Sequence, residues 1–597
     1  MAELPERLSA QVITTLEDLS RIETLPSRAA LGVITATKGP MDELHLVQTT
    51  NQLVSLFGEP SADHKGLVGA YKIIASGIGM YLVRVGNNKG EHKYKASTAT
   101  IPGTAEVTTI VNSASLAQDS SSASDKVSFD YTKVVEDSAI GSYSMTPDGA
   151  NWICKFNEDT PVTTTTSGEN TTIGDTGIVV KNTGYTESFN FNVAATSSTT
   201  VVEANVVLEM STPGTWGDVY SVTTATTNQT IRLSLFKGSL KVETFDVSLD
   251  PEADNFILDI ASENFKATLP EGQPTPTVLT DGTYSFAGGD DGLYNEDDGL
   301  TEAYVGEIDE STGVASGCKL FLQPKVVAQI YPALGFPAKE YLNAMKAVSE
   351  QKKYITCIFD TPDELTLNGV CNWINNAPES PYENDPILSG WMCEVYWPWL
   401  NDTYNGYPLQ MPPSVYVTIN SMNWWQRIGV QAPVAGNPRG ILANVTAETE
   451  IPSVVDRDKL VTNRINPIFN TGVAGTQIYG NETLNDDYTD LRSAHISRQL
   501  AQIITEVNRA TALFEFELND SLTWQRWIDS TTRILQGYSE KGGLKWYGVR
   551  MGLDTTTAAE IAQRQIRGLI GLQFTQDAEV FWLNYAVYAS SAEDIDF

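Results

Sequence analysis

Basic residues are scarce in this chain. Its 597 residues hold 39 lysines and arginines against 74 aspartates and glutamates, a formal net charge of -35. A field of that sign repels phosphate backbones and anionic membrane surfaces, and no run of clustered Lys and Arg provides a local exception. Nucleic-acid binding is therefore not expected. Cysteine is also scarce: Cys154, Cys318, Cys357, Cys371 and Cys393 are odd in number and widely spaced, as befits reduced, mostly buried thiols. No stretch approaches the roughly 20 apolar residues that a bilayer-spanning helix needs. Membrane insertion is not expected. The opening MAELPERLSAQVITTLEDLS carries acids early and has no uninterrupted apolar core, so it does not read as a signal peptide. Folding in a cytoplasm is the resulting expectation.

The residues of catalysis are thin as well. The four histidines (His45, His64, His92, His495) are isolated, with neither His-Glu-x-x-His nor Cys-x-x-Cys, which argues against a transition-metal site. There is no Gly-x-x-x-x-Gly-Lys-Ser/Thr loop, no Gly-x-Gly-x-x-Gly after a strand and no Gly-x-Ser-x-Gly elbow, so a nucleotide-driven motor and a serine hydrolase lack their signatures. His495 reads as a surface histidine on a helix. The acidic turn Gly288-Gly289-Asp290-Asp291-Gly292 does not follow the spacing of a calcium-binding EF-hand and reads as a solvated glycine-rich turn. Twelve tryptophans and abundant carboxylates are what a glycoside hydrolase offers, but that chemistry needs two carboxylates about 5 to 10 Å apart. Trp424-Trp425 and Trp524/Trp527 sit in apolar, periodic surroundings and read as core. No enzyme, cofactor or metal is expected.

What is present is ample core material: 41% hydrophobic and 19% charged residues, enough for several domains. Residues 1–24 read as an arm. Leu31 to Ala36 reads as a strand broken at Lys38-Gly39-Pro40. Thr49 or Thr50 caps a short helix with Leu53, Leu56 and Phe57 on one face and Gly58 at its end. A second helix carries Leu67, Ala70, Tyr71 and Ile74, and Met80 to Val85 reads as a buried strand. This strand-helix-helix-strand pattern suits an α/β layer. From about 95 to 210 the chain turns Ser/Thr-rich, with strand-like Ile178 to Val180 and Phe189 to Val193, and reads as an inserted β-rich surface domain. Mixed α/β text resumes with strands at Val206 to Met210, Ile231 to Phe236, Tyr354 to Phe359 (a parallel strand ending at Asp360) and within Trp391 to Leu400. Near the C-terminus Ile496, Leu500, Ile503 and Val507 mark one helix. Leu522, Ile528 and Leu535 mark a second, closed by Gly537. Strands are expected at Leu544 to Leu553, Ile566 to Phe574 and Glu579 to Tyr588.

Several segments resemble the tail sheath family of contractile phages and related injection machines. They are Gly32 to Pro40 (GVITATKGP), Leu53 to Gly58 (LVSLFG) and Tyr81 to Val85 (YLVRV). Pro213-Gly214-Thr215-Trp216-Gly217-Asp218 resembles the family's Pro-Gly-x-Trp-Gly-Asn turn, and Gly288 to Gly292 its Gly-Gly-x-Asp-Gly turn. Tyr396-Trp397-Pro398-Trp399, Met411-Pro412-Pro413-Ser414, Asn466-Pro467-Ile468, Tyr479 to Leu484 and Phe514 to Asn519 follow in the family's order. Tyr479 stands where the family usually has Trp, and residues 95–205 carry no resemblance.

The resemblance implies a structural, non-enzymatic sheath subunit. Such a subunit polymerises helically around a tail tube and contracts from a metastable extended state to drive the tube through the host envelope. Its partners would be further copies of itself, in the hexameric rings that the resemblance implies, with the tube, baseplate and tail terminator proteins. It would reside in the virion tail after assembly in the host cytoplasm. The fold class is α/β and β multi-domain: a mixed α/β core built from N- and C-terminal parts of the chain, with the β-rich insertion. The expected divisions are an N-terminal arm at 1–24, the N-terminal part of the core at 25–94 and the insertion at 95–210. A middle domain of subtilisin-like but non-catalytic fold follows at 211–485, then a C-terminal domain at 486–597. Arms of this family add strands to neighbouring subunits, and edge strands template such pairing. Val12, Ile13, Leu16, Phe581, Leu583, Tyr585 and Val587 are the implied inter-subunit strand residues. Arg492, Arg498, Arg509 and Arg526 are the implied tube-facing residues. A non-sheath virion or adhesin-type binding protein, and an intracellular glycoside hydrolase or peptidase, remain alternatives at this point.

Overall fold

A computed structural model describes residues 28–577 except 118–125, 132–140, 149–150, 158–159, 168, 174–177, 228–229, 353–354, 452, 473–474 and 488. Two compact units emerge. One draws on the described residues within Met1–Ser97, Thr212–Trp216 and Gly288–Phe597, the other on Thr98–Ser211 and Gly217–Ala287.

The first unit is organised by an eight-stranded sheet. Its order is Leu44–Val47, Gly79–Arg84, Ala29–Ile34, Ile330–Pro332, Thr356–Asp360, Cys393–Trp397, Ile465–Asn470 and Thr476–Ile478. The inner pairings are parallel, and only the two edge strands run antiparallel. Parallel strands need crossovers, and the helices that make them cover both faces of the sheet. The period-2 pattern divides each strand between those faces. Leu31, Val33, Tyr81, Val83, Cys357, Phe359, Val395 and Trp397 join one core, with Tyr341, Leu342 and Met345 of the helix Lys339–Gln351. Ala30, Ile34, Met80, Leu82, Ile358 and Tyr396 join the other, with Leu53 and Phe57 of the helix Thr50–Phe57, Leu67 and Ile74 of Lys65–Ala75, and Val415 of Pro413–Ile428. Each fully buried Leu, Ile or Phe contributes about 1.5–3 kcal/mol.

The N-terminal strand pairs directly with a strand some 300 residues later, Ala30 opposite Ile330, so early and late parts of the chain share one sheet. Thr49 forms a capping box with Gln52, and Gly58 ends that helix at φ +84, as the sequence signals imply. Several elements were not anticipated, among them the helices Lys339–Gln351 and Pro413–Ile428. The edge strand Leu44–Val47 is another, only four residues long and too short to show a period.

The second unit is antiparallel. Its largest sheet orders Val278–Leu279, Gly103–Leu116, Phe189–Glu203, Gly141–Asp148, Asn151–Phe156 and Thr160–Val162, and three smaller sheets accompany it. Tyr143, Met145, Phe189, Phe191 and Val193 form a core in which Tyr143 stacks on Phe191 with ring centroids 5.1 Å apart. The expected insertion closes at 210, whereas this unit runs on to Ala287. Its later strands, Tyr220–Thr227, Thr230–Lys237 and Leu240–Val247, pair antiparallel in that order.

At the C-terminal end of the first unit, the helices Ala494–Thr511 and Ser521–Glu540 pack with the hairpin Leu544–Met551 and Gly568–Phe574. Ile496, Ile503, Val507, Trp527, Leu535, Leu544 and Phe574 form their core. The second helix passes through Gly537 to Glu540, and Leu522 is 67% exposed. Asp520 caps that helix instead, accepting from the Thr523 amide at 2.8 Å.

Candidate functional site

The C-terminal helices are joined to the sheet by buried charge. The face of Cys393–Trp397 that carries Glu394 and Tyr396 meets Arg498 of the helix Ala494–Thr511. Arg498 Nε donates to Glu394 Oε1 at 2.6 Å, and its Nη2 donates to Glu394 Oε2 and, at 3.0 Å, to the Tyr396 hydroxyl. Tyr396 in turn donates to Glu394 Oε2 at 2.7 Å. The Arg498 and Glu394 side chains are 2% and 1% exposed. Burial alone would lower the Arg498 pKa, but the Glu394 and Tyr396 partners outweigh it and raise it above the ordinary value.

This corrects the expectation that Arg498 faces a tube: its guanidinium is spent inside the fold. Arg492 is mostly buried and pairs with Glu482 at 2.5 Å. Arg509 and Arg526 are exposed, the latter with its guanidinium 5.8 Å from the Phe514 ring. The four arginines therefore do not form one surface. His495 is not a surface residue either. It is 2% exposed, within hydrogen-bond distance of Asn481 and Ser493 at 2.8 Å each. Burial lowers its pKa. Sequence periodicity missed both residues because a key partner of each lies far along the chain, Asn481 14 positions from His495 and Glu394 104 positions from Arg498. Val12, Ile13, Leu16, Phe581, Leu583, Tyr585 and Val587 lie outside the described residues.

Two of the turn motifs meet in the first unit. Asp291 accepts from the Thr215 amide at 2.7 Å, the Thr215 hydroxyl at 3.0 Å and His64 Nε2 at 3.2 Å. Burial pulls its pKa up, and the hydrogen bonds from His64 and Thr215 more than offset this, leaving it below the usual value. Gly214 lies at φ +123, where a Cβ would sit 2.0 Å from the Thr37 carbonyl oxygen. Arg84 Nη1 donates to the carbonyls of Gly39 and Pro213 at 2.6 and 2.8 Å. Asp291 is thus a buried tie between segments and not part of a solvated turn. Among the described residues, no group of three or more His, Cys, Asp or Glu side chains is placed to hold a metal ion.

The carboxyl ends of parallel strands are where α/β folds place their ligands, and here the chain fills that position itself. Asp360 accepts from Ser414 N at 2.8 Å, Ser414 Oγ at 2.6 Å and Gly335 N at 2.8 Å. Burial raises its pKa to about 6 against the opposing effect of those bonds. Trp399 Nε1 closes over the same loop by donating to the Thr361 carbonyl at 2.8 Å. The tryptophans expected in cores divide: Trp527 is buried, while Trp424, Trp425 and Trp524 are only partly so. All five cysteines are buried and free.

The C-terminal hairpin is an open element. Among the described residues its sheet has two strands, so each strand keeps one edge without a strand partner among those residues. Its outward side chains include Trp546 and Leu569, 56% and 55% exposed.

No protein-family model matches the chain. Over 159 residues, 27% of the chain, it is 26% identical to the tail sheath protein of Enterobacteria phage T4. The chain spans about a quarter of that relative's length, 24%. Among solved structures, a sheath tail protein from Desulfitobacterium hafniense aligns over 88% of this chain and 90% of its own, at 8% identity and TM-score 0.48. One from Listeria innocua aligns over 92% and 95%, at 8% identity and TM-score 0.43. The contracted-state sheath complex of an extracellular contractile injection system covers 46% of this chain and 75% of that one, at 21% identity and TM-score 0.39. In sequence, the chain is similar to a phage tail sheath protein, the family that its ordered turn motifs resemble.

Proposed function

We propose that the chain is a structural subunit of a contractile tail sheath. It polymerises as a helical lattice around a tail tube and contracts from a metastable extended state, driving the tube through the host envelope. The observation that carries this reading is the sequence similarity to a phage tail sheath protein. The hairpin at the C-terminal end supports it, because open strand edges accept further strands from other chains. In this reading the segments around Val12, Ile13 and Leu16 and around Phe581, Leu583, Tyr585 and Val587 supply those strands between copies. The tube, baseplate and terminator proteins are its other partners, and the virion tail is its destination.

No nucleotide is needed for this work. Energy is held as the difference between two sets of inter-subunit contacts, and relaxation to the lower set does the work. A subunit that transmits such a change must not deform internally, and the buried Arg498–Glu394–Tyr396 group supplies that stiffness between sheet and C-terminal helices. The tube-facing role falls to Arg526, whose exposed charge forms pairs weak enough to break, while Arg509 lies on the rim of a cavity in the same unit. The middle of the chain contributes a subtilisin-like but non-catalytic domain, and the β-rich unit is the insertion.

Charge reversal tests the tube contact. Arg526→Glu should leave the subunit folded and weaken assembly templated on purified tubes at ordinary salt. Undiminished assembly would remove Arg526 from the tube surface.

A further inference from the structure

The turn between the two C-terminal helices presents an apolar knob. Leu513, Phe516 and Leu518 are 80%, 101% and 76% exposed. Phe516 sits at φ +66, a region that bulky side chains seldom enter. Strained, fully exposed aromatic residues concentrate at contact sites. Glu515 and Glu517 flank the ring in sequence, so the knob is apolar at its tip and acidic at its sides.

Elsewhere in the same unit lies a cavity of complementary character. It has a volume of about 520 Å³ and opens where the N-terminal ends of the parallel strands meet the helix Ala494–Thr511. Ala29, Val327, Ala328, Trp425, Val430 and Ala501 give it apolar walls. Exposed Arg509 stands at its edge, and an adjoining cavity of about 380 Å³ adds Arg28 and Lys541. Glu506 is the single acid lining either cavity. In a chain of net charge -35 this is a local reversal of sign.

We propose that Phe516 of one copy seats in this cavity of the next, with Glu515 and Glu517 against Arg509 and Lys541. Knob and cavity are different surfaces of one chain, so the contact is heterologous and propagates along an open row instead of closing a dimer. The inference rests on the sheath reading and specifies one of its contacts.

Two experiments test it. Because the native cysteines are buried, a Phe516→Cys, Ala328→Cys double variant reports the contact by disulfide formation. Polymers should yield a ladder of covalent multimers under mild oxidation, and each single variant should yield none. Separately, Phe516→Ala and Arg509→Glu should each raise the concentration needed for polymerisation about tenfold or more. Glu517→Arg combined with Arg509→Glu should recover part of that loss. The proposal is overturned if the parent polymerises, Phe516→Ala does so at the same concentration and no ladder forms. It is equally overturned if Ala328→Cys cross-links to a cysteine at Val12, which would make the N-terminal segment the occupant. A parent chain that never polymerises, even with tubes, would sink the sheath reading instead.

Discussion

Replacing Arg498 with alanine should be among the most damaging single changes in the first unit. The substitution removes two charge-assisted hydrogen bonds to Glu394 and one to Tyr396, all between side chains that are nearly inaccessible to water. The larger cost comes from what is left behind, a carboxylate inside the fold with only the Tyr396 hydroxyl as partner. Breaking a buried pair in this way costs about 3–5 kcal/mol. The intact pair is not worth that much, because both charges had to leave water to form it. Arg498→Met with Glu394→Leu should therefore recover most of the loss, ending within about 2 kcal/mol of the parent. Guanidinium unfolding followed by tryptophan fluorescence measures both variants, with Trp425 lying 5.7 Å from the Arg498 guanidinium as a local reporter. A cost below about 1 kcal/mol for Arg498→Ala, or a double variant as unstable as the single one, would refute the argument.

Asp360 gives the pH test. Its folded pKa of about 6 lies above the roughly 3.9 of an unfolded aspartate, so between those values the native state holds more of the proton. Stability should fall as pH rises through that window, by on the order of 2–3 kcal/mol. Asp360→Asn should flatten this part of the profile, and an unchanged slope between pH 4 and 6 would contradict the assignment. Gly214→Ala should destabilise by about 2–4 kcal/mol, since the new methyl meets the Thr37 carbonyl at a φ that disfavours it; a Tm within a degree of the parent would show that the turn relaxes freely. Deleting residues 1–20 should leave the α/β unit folded by circular dichroism yet prevent polymerisation, and polymers of normal yield would rule out an inter-subunit arm.

Local signals carried much of the first unit's outline. Thr49 and Gly58 bracket their helix because capping is decided within a few residues. The strands at Gly79–Arg84 and Thr356–Asp360 stand out because a strand covered on both faces reads as a continuous apolar run. Contacts across long separations were not visible. Arg498 and Glu394 are 104 positions apart, and Asp291 and Thr215 are 76 apart. Nothing local distinguishes a buried arginine from an exposed one on an amphipathic helix. The reach of the β-rich unit to Ala287 was missed for a related reason. Strands such as Thr230–Lys237 look alike in an antiparallel insertion and in an α/β layer until their partners are known. Likewise, the exposure of Leu522 follows from where Asp520 starts the helix, not from the helical period.

Electron microscopy of the purified chain in negative stain, alone and with purified tail tubes, decides whether the chain assembles helically. A sheath subunit gives open-ended hollow cylinders with a regular surface lattice, formed spontaneously or on addition of tubes. Discrete particles that persist at every concentration and in the presence of tube and baseplate would contradict helical assembly.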